Sequence, residues 1–174
     1  MAEHAAAVGH TFVVVPAVPE HERATLDDYR RHAANFNRWA DVCTAAGLKF
    51  GYHNHSFEFE ETEGELPYDL LLAETDPSLV LMELDLAWAE GGGVDPLAYF
   101  AAWPGRFPLC HIKDYADGAE VDIGEGTVDF ERILAQAVRA GLRHGFVERD
   151  HPADAEASIR RNYAAIRSVW EKSL

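Results

Sequence analysis

One pattern repeats along the 174-residue chain and limits what it can fold into. A short β-rich run ends in polar residues, a loop follows, and a helical stretch closes on glycine. The runs Thr11–Pro16, Leu48–Asn54, Leu79–Leu86, Pro108–Lys113 and His144–Arg149 carry the β-branched and aromatic residues of strands. Between them, Tyr29, Ala33, Phe36, Ala40 and Cys43 recur at the spacing of one helix face, after a Thr25 N-cap with Asp28 three positions on. A short helix spans Tyr68 to Glu74. Asp95–Pro96 opens the next one, Asp129 starts another over Ile133, Leu134, Ala137 and Val138, and Ile159, Tyr163, Ile166 and Trp170 stripe the last. Strands alternating with helices predict an α/β fold with a parallel sheet, in a single domain over residues 1–174.

Two architectures satisfy that alternation. A doubly wound fold wants a Gly-rich phosphate loop after its first strand, and none is present. A barrel gathers its functional residues at the C-terminal ends of its strands. Four successive strands do place metal-binding side chain types there: His53, Asn54 and His55 in GYHNH, Asp85 in MELDLAW, His111 in CHIKD and Glu148 in FVERD. Carboxylates mixed with imidazoles suit Mn²⁺, Co²⁺, Fe²⁺, Zn²⁺ or Mg²⁺. A histidine within a strand is also a common hydrogen-bonded core residue. Recurrence at equivalent strand ends is what favours ligands.

Composition narrows the partners. A formal charge of −15 argues against nucleic acid, which calls for clustered Lys and Arg. No apolar run is long enough for a membrane helix, and MAEHAAAVGH lacks the form of a secretory signal. Cys43 and Cys110 are too few for a disulfide framework, so both are expected in the core of a cytoplasmic protein.

The runs GLKFGYHNHSFEF, LMELDLAWAEGGGVDP, GRFPLCHIKD, DIGEGTVDF and GFVERD, in that order from about Gly9 to the C-terminus, resemble the second half of the sugar phosphate isomerase/epimerase family, the xylose-isomerase-like TIM barrels. The resemblance implies a partial (β/α)₈ barrel of about five βα units, equivalent to units four to eight. Because a whole barrel takes about 250 residues, some three units are expected to be missing and a homo-oligomer to cover the open edge. It also implies that Asp85, His111 and Glu148 fall on three of the family's four metal ligands. Where the family usually has Glu-Asn, this chain reads His53-Asn54, which makes His53 the fourth.

From this follows an expected activity on a small sugar or polyol. The metal polarises a carbonyl, a base removes the neighbouring proton, and an enediolate is reprotonated elsewhere. Glu148 is the expected base, with His53 or His55 opposite. Asn54, Trp88, Lys113 and Asp114 are expected to contact substrate, and Glu58 to be exposed. Two alternatives stand beside this reading: a metal-dependent lyase or dehydratase on a keto-sugar or keto-inositol, like inosose dehydratase, and a non-catalytic accessory or truncated barrel. The endonuclease branch of the fold is disfavoured by the acidic charge.

Overall fold

The computed structural model describes residues 1–173. It forms two compact units, Met1–Glu83 and Leu84–Leu174.

The first unit contains α1 (Ala2–Ala7), β1 (Phe12–Val15), α2 (Leu26–Ala45), β2 (Lys49–His53), α3 (Pro67–Glu74) and most of β3 (Val80–Asp85). β1 pairs with β2 and β2 with β3, both parallel, with Val15 opposite Tyr52 and His53 opposite Glu83. The Thr25 hydroxyl accepts from Asp28 N at 3.2 Å while the Asp28 carboxylate accepts from Thr25 N at 2.9 Å. This reciprocal cap fixes where α2 begins. The α2 face expected from spacing is buried, and Phe36 stacks on Tyr52 with centroids 4.8 Å apart. Aromatic contact of this kind ties helix to strand.

The second unit opens on the last residues of β3. It continues through α4 (Leu86–Gly91), α5 (Pro96–Ala102), β4 (Leu109–Ile112), β5 (Asp114–Ala116), β6 (Ala119–Val121), α6 (Phe130–Leu134), α7 (Ala137–Ala140), β7 (His144–Val147) and α8 (Ala155–Ser173). β4 and β7 pair in parallel, His111 opposite Phe146. Gly145 in β7 answers a packing demand, since a Cβ there would lie 2.6 Å from Ile112 Cδ1. All five expected strands therefore form, each shortened by a residue or two at its ends.

Three departures have physical causes. β5 and β6 make an antiparallel hairpin over Asp114–Val121, turning through Asp117 and Gly118 at φ 51° and 82°. Two positive φ values in a two-residue loop suit the twist of a hairpin. Second, the helix expected from Asp129 to Gly141 is split into α6 and α7, which turns Val138 outward to 83% exposure. Third, α8 buries Ile166 of the expected stripe together with Ser158 and Asn162, and leaves Ile159 and Tyr163 exposed. Its inward polar residues have work there: Asn162 accepts from Ile123 N at 2.6 Å, and Ser158 donates to Asp122. Cys43 and Cys110 are buried and unbridged, as expected.

Candidate active site

In the second unit, the C-terminal ends of three strands bring acidic and basic side chains together. Asp85 ends β3 and is also the N-cap of α4, its Oδ1 accepting from Trp88 N at 2.9 Å. The cap holds one oxygen of a fully buried carboxylate and aims the other elsewhere. His111 projects from β4, with Nδ1 2.8 Å from Glu148 Oε2 and 3.8 Å from Asp85 Oδ2. Glu148 follows β7 directly, its amide donating to Ile112 O at 3.2 Å. Asp85, His111 and Glu148 each offer one ligand atom, all within 4.8 Å of one another.

Lys113 enters the same cluster. Its side chain is only 2% exposed, and Nζ stands 2.8 Å from Glu148, 3.1 Å from Asp150, 3.2 Å from Glu120 and 3.6 Å from Asp85. The ammonium also lies 4.9 Å from the Trp88 ring centroid, a cation–π distance. Burial works against the Lys113 charge, yet the surrounding carboxylates, Asp85 and Glu148 foremost, raise its pKa above the usual lysine value. Burial pushes Asp85 up to about 6 against the pull of Lys113. Hydrogen bonding from His111, joined by Lys113, outweighs burial at Glu148 and lowers it to about 2.

Charge and donor chemistry bear on a metal. Four carboxylates, Asp85, Glu120, Glu148 and Asp150, face two permanent cations, Lys113 and Arg149. That leaves two negative charges in excess, with Asp85 and Glu120 shielded from water and Glu148 and Asp150 reached by it, and a divalent ion would offset them. Two carboxylates and an imidazole are hard and borderline donors suited to a divalent ion. The residues fit one.

Asp114 does something other than reach outward. It is buried, and its two oxygens accept four backbone N–H groups: Tyr115 at 2.9 Å, Gly124 at 2.8 Å, Gly126 at 3.0 Å and Val128 at 3.1 Å. The loop wraps this carboxylate so closely that a Cβ at Gly126 would overlap it. Trp88 meets Tyr115 edge-on at 5.9 Å between centroids.

The first unit holds the other expected residues. His53 ends β2 with Nδ1 3.8 Å from Glu83 Oε1, both side chains buried. The His53 and His55 rings meet edge-on at 5.0 Å, and His55 stacks on Phe57 at 5.3 Å, with the Arg23 guanidinium 3.2 Å over the Phe57 centroid. Asn54 is fully buried, its amide donating to His55 O at 3.3 Å.

Glu58 overturns the expectation of exposure. It is wholly buried, takes a hydrogen bond from Tyr52 Oη and accepts from His55 N at 2.7 Å. Burial raises it to about 7, against those two hydrogen bonds. Sequence reasoning also missed Glu120 and Asp150, which are brought to Lys113 by the hairpin and by the segment after β7. Asp117-Gly118 was the available signal for the hairpin.

Residues 1–169 match the xylose isomerase-like TIM barrel family. The chain belongs to that family. Its five parallel strands and intervening helices form part of such a barrel. A sugar phosphate isomerase/epimerase structure from Parabacteroides distasonis ATCC 8503 superposes with a TM-score of 0.86 at 29% identity, over 96% of this chain and 60% of that one. A second from the same organism gives 0.79 at 32% identity, over 98% and 61%. A structure of the IOLI protein with a bound zinc atom, at 18% identity and a TM-score of 0.78, shares the fold. Among curated proteins, inosose dehydratase of Clostridium tetani is 25% identical over 126 residues, 72% of this chain and 40% of the relative. The chain thus spans less than half the length of that relative. Among the described residues, no helix is long and apolar enough to cross a membrane.

Proposed function

We propose that residues 1–174 act as one partial-barrel domain with divalent-metal-dependent sugar isomerase or epimerase activity, abstracting a proton next to a carbonyl. The observation that carries this reading is the convergence of Asp85, His111 and Glu148 within 4.8 Å. Those three are the proposed ligands, with Mn²⁺ first and Mg²⁺, Co²⁺, Fe²⁺ or Zn²⁺ as alternatives. His53 joins them by the sequence resemblance. When bound, the ion supplies Lewis-acid polarisation of the carbonyl and charge to balance an enediolate.

The chain's own groups do the rest. Glu148 is ionised at neutral pH and accepts the proton at a carboxylate oxygen. Its low pKa makes it a modest base, so the reaction relies on a strongly acidified C–H. Lys113 holds that carboxylate in place from 2.8 Å. His53 or His55 takes the opposing proton role, His55 on a loop secured by Glu58. Trp88 supplies a substrate contact, while Asn54 and Lys113, expected to reach substrate, are both buried, and Lys113 serves the site through Glu148. Asp114 contributes by shaping the 124–128 loop.

That loop also bears on substrate. The Gly124 and Gly126 amides, which a phosphate would want, already donate to Asp114. A non-phosphorylated sugar or polyol fits better than a sugar phosphate. The acidic charge and the absence of a membrane-length helix among the described residues agree with a small-molecule enzyme of the cytoplasm.

A panel of ketoses and aldoses in D₂O with Mn²⁺ tests the reading. Deuterium entering the carbon next to the carbonyl, with the sugar otherwise intact or epimerised, is the expected result. No incorporation from any sugar counts against it. The inosose dehydratase relatives favour one second reading, a dehydratase on a keto-inositol or keto-sugar. In that case incorporation comes with loss of water.

A further inference from the structure

Lys113 has three N–H donors and four carboxylates around it. The three nearest oxygens, on Glu148, Asp150 and Glu120 at 2.8, 3.1 and 3.2 Å, match those donors. Asp85, at 3.6 Å, is left as a longer ion contact. The lysine therefore holds one proposed ligand, Glu148, more closely than the other, Asp85.

What sets that division is a residue outside the ligand set. Glu120, on β6, places Oε1 against Lys113, while its Oε2 accepts from Asp150 N at 2.9 Å and lies 3.4 Å from Arg149 Nη1. One carboxylate thus grips the two residues that follow Glu148 and the lysine that touches it. Its own backbone is tied on both sides. Asp114, ahead of it, holds the 124–128 loop, and Asp122, behind it, accepts from Ser158 and from Arg161 Nε at 2.7 Å on α8.

We infer that Glu120 is a positioning residue for Glu148 and Asp85: it keeps Lys113 turned away from Asp85 and anchors the main chain just after Glu148. The inference rests on the metal-site reading above. Without the Glu120 charge, the third ammonium donor turns to Asp85 and competes with a divalent ion for that oxygen. Outer partners of metal ligands commonly change affinity by about 10- to 100-fold.

The test compares wild type with Glu120→Gln and Glu120→Asp, after urea unfolding shows that each is folded. Two quantities are read: the Lys113 ammonium signal in ¹⁵N-lysine-labelled protein without metal, and Mn²⁺ affinity by electron paramagnetic resonance. Glu120→Gln should shift or broaden the Lys113 signal and weaken Mn²⁺ about tenfold at unchanged stoichiometry. Glu120→Asp, which keeps the charge, should recover most of both. A Gln variant with wild-type signal and affinity overturns the inference. So does equal weakening by Gln and Asp, which would make Glu120 a packing group. A wild-type chain that takes up no Mn²⁺ brings down the metal reading instead, and the Lys113 signal then decides the inference alone.

Discussion

Lys113 and Glu148 follow neighbouring parallel strands, β4 and β7, and meet with Nζ 2.8 Å from Oε2. Together with the hydrogen bond from His111, which contributes most, this contact with a buried ammonium explains why Glu148, proposed as both ligand and base, stays ionised far below neutral pH. It also explains the burial of Lys113, whose charge is repaid by the acidic groups around it.

Glu148→Gln removes the proton acceptor while keeping an oxygen that coordinates weakly. Solvent exchange at the substrate carbon should fall by at least about 10²-fold, measured by deuterium incorporation with Mn²⁺ present. Near-normal exchange with metal still bound would move the proton role to His53 or His55.

Glu58 gives a stability prediction with a definite sign. Its folded pKa, about 7, lies above the ordinary 4.5, so the folded state prefers the protonated acid. The contribution is fully present below pH 4.5 and is lost as pH rises through about 7. At roughly 1.4 kcal/mol per pH unit, that interval is worth about 3 to 4 kcal/mol, as an order of magnitude. Glu58→Gln carries no charge to titrate. Urea unfolding from pH 4.5 to 8 should show the variant gaining on wild type by about that amount across the window. A constant difference would show that Glu58 titrates normally.

β1 pairs only with β2, and β7 only with β4, among the described residues. Beside β1, Val13, Val15, Trp39, Val42 and Phe50 help line an apolar hollow of about 440 Å³, with Trp39 44% and Val42 60% exposed. Exposed strand edges next to apolar surface invite pairing with another chain. The chain should therefore scatter light as a symmetric dimer at low micromolar concentration, and Val42→Asp should shift it toward monomer. A wild-type monomer with cooperative unfolding would contradict this.

The strands and the α2 face were legible because each is a local pattern: β-branched runs bounded by turns, and 3–4 spacing after a cap. Asp85, His111 and Glu148 were legible because a barrel puts its chemistry at strand ends. Glu58 was not. Its neighbours Ser56, Glu60 and Glu61 suggest a wet loop, and only the fold brings Tyr52 over it. The inward line of α8 was misread because Ser158 and Asn162 are polar, and polarity alone cannot reveal that Asp122 and Ile123 await them. Glu120 depended on recognising Asp117-Gly118 as a hairpin turn within a run otherwise read as loop.

The central claim is that Asp85, His111 and Glu148 hold one divalent ion. Metal analysis of the chain equilibrated with Mn²⁺, alongside Asp85→Asn and His111→Ala, tests it most directly. Asp85→Asn keeps an oxygen to cap α4, so loss of metal there does not follow from loss of the helix. The account predicts one Mn²⁺ per wild-type chain and almost none in either variant, with circular dichroism unchanged. Equal Mn²⁺ in all three proteins would contradict it.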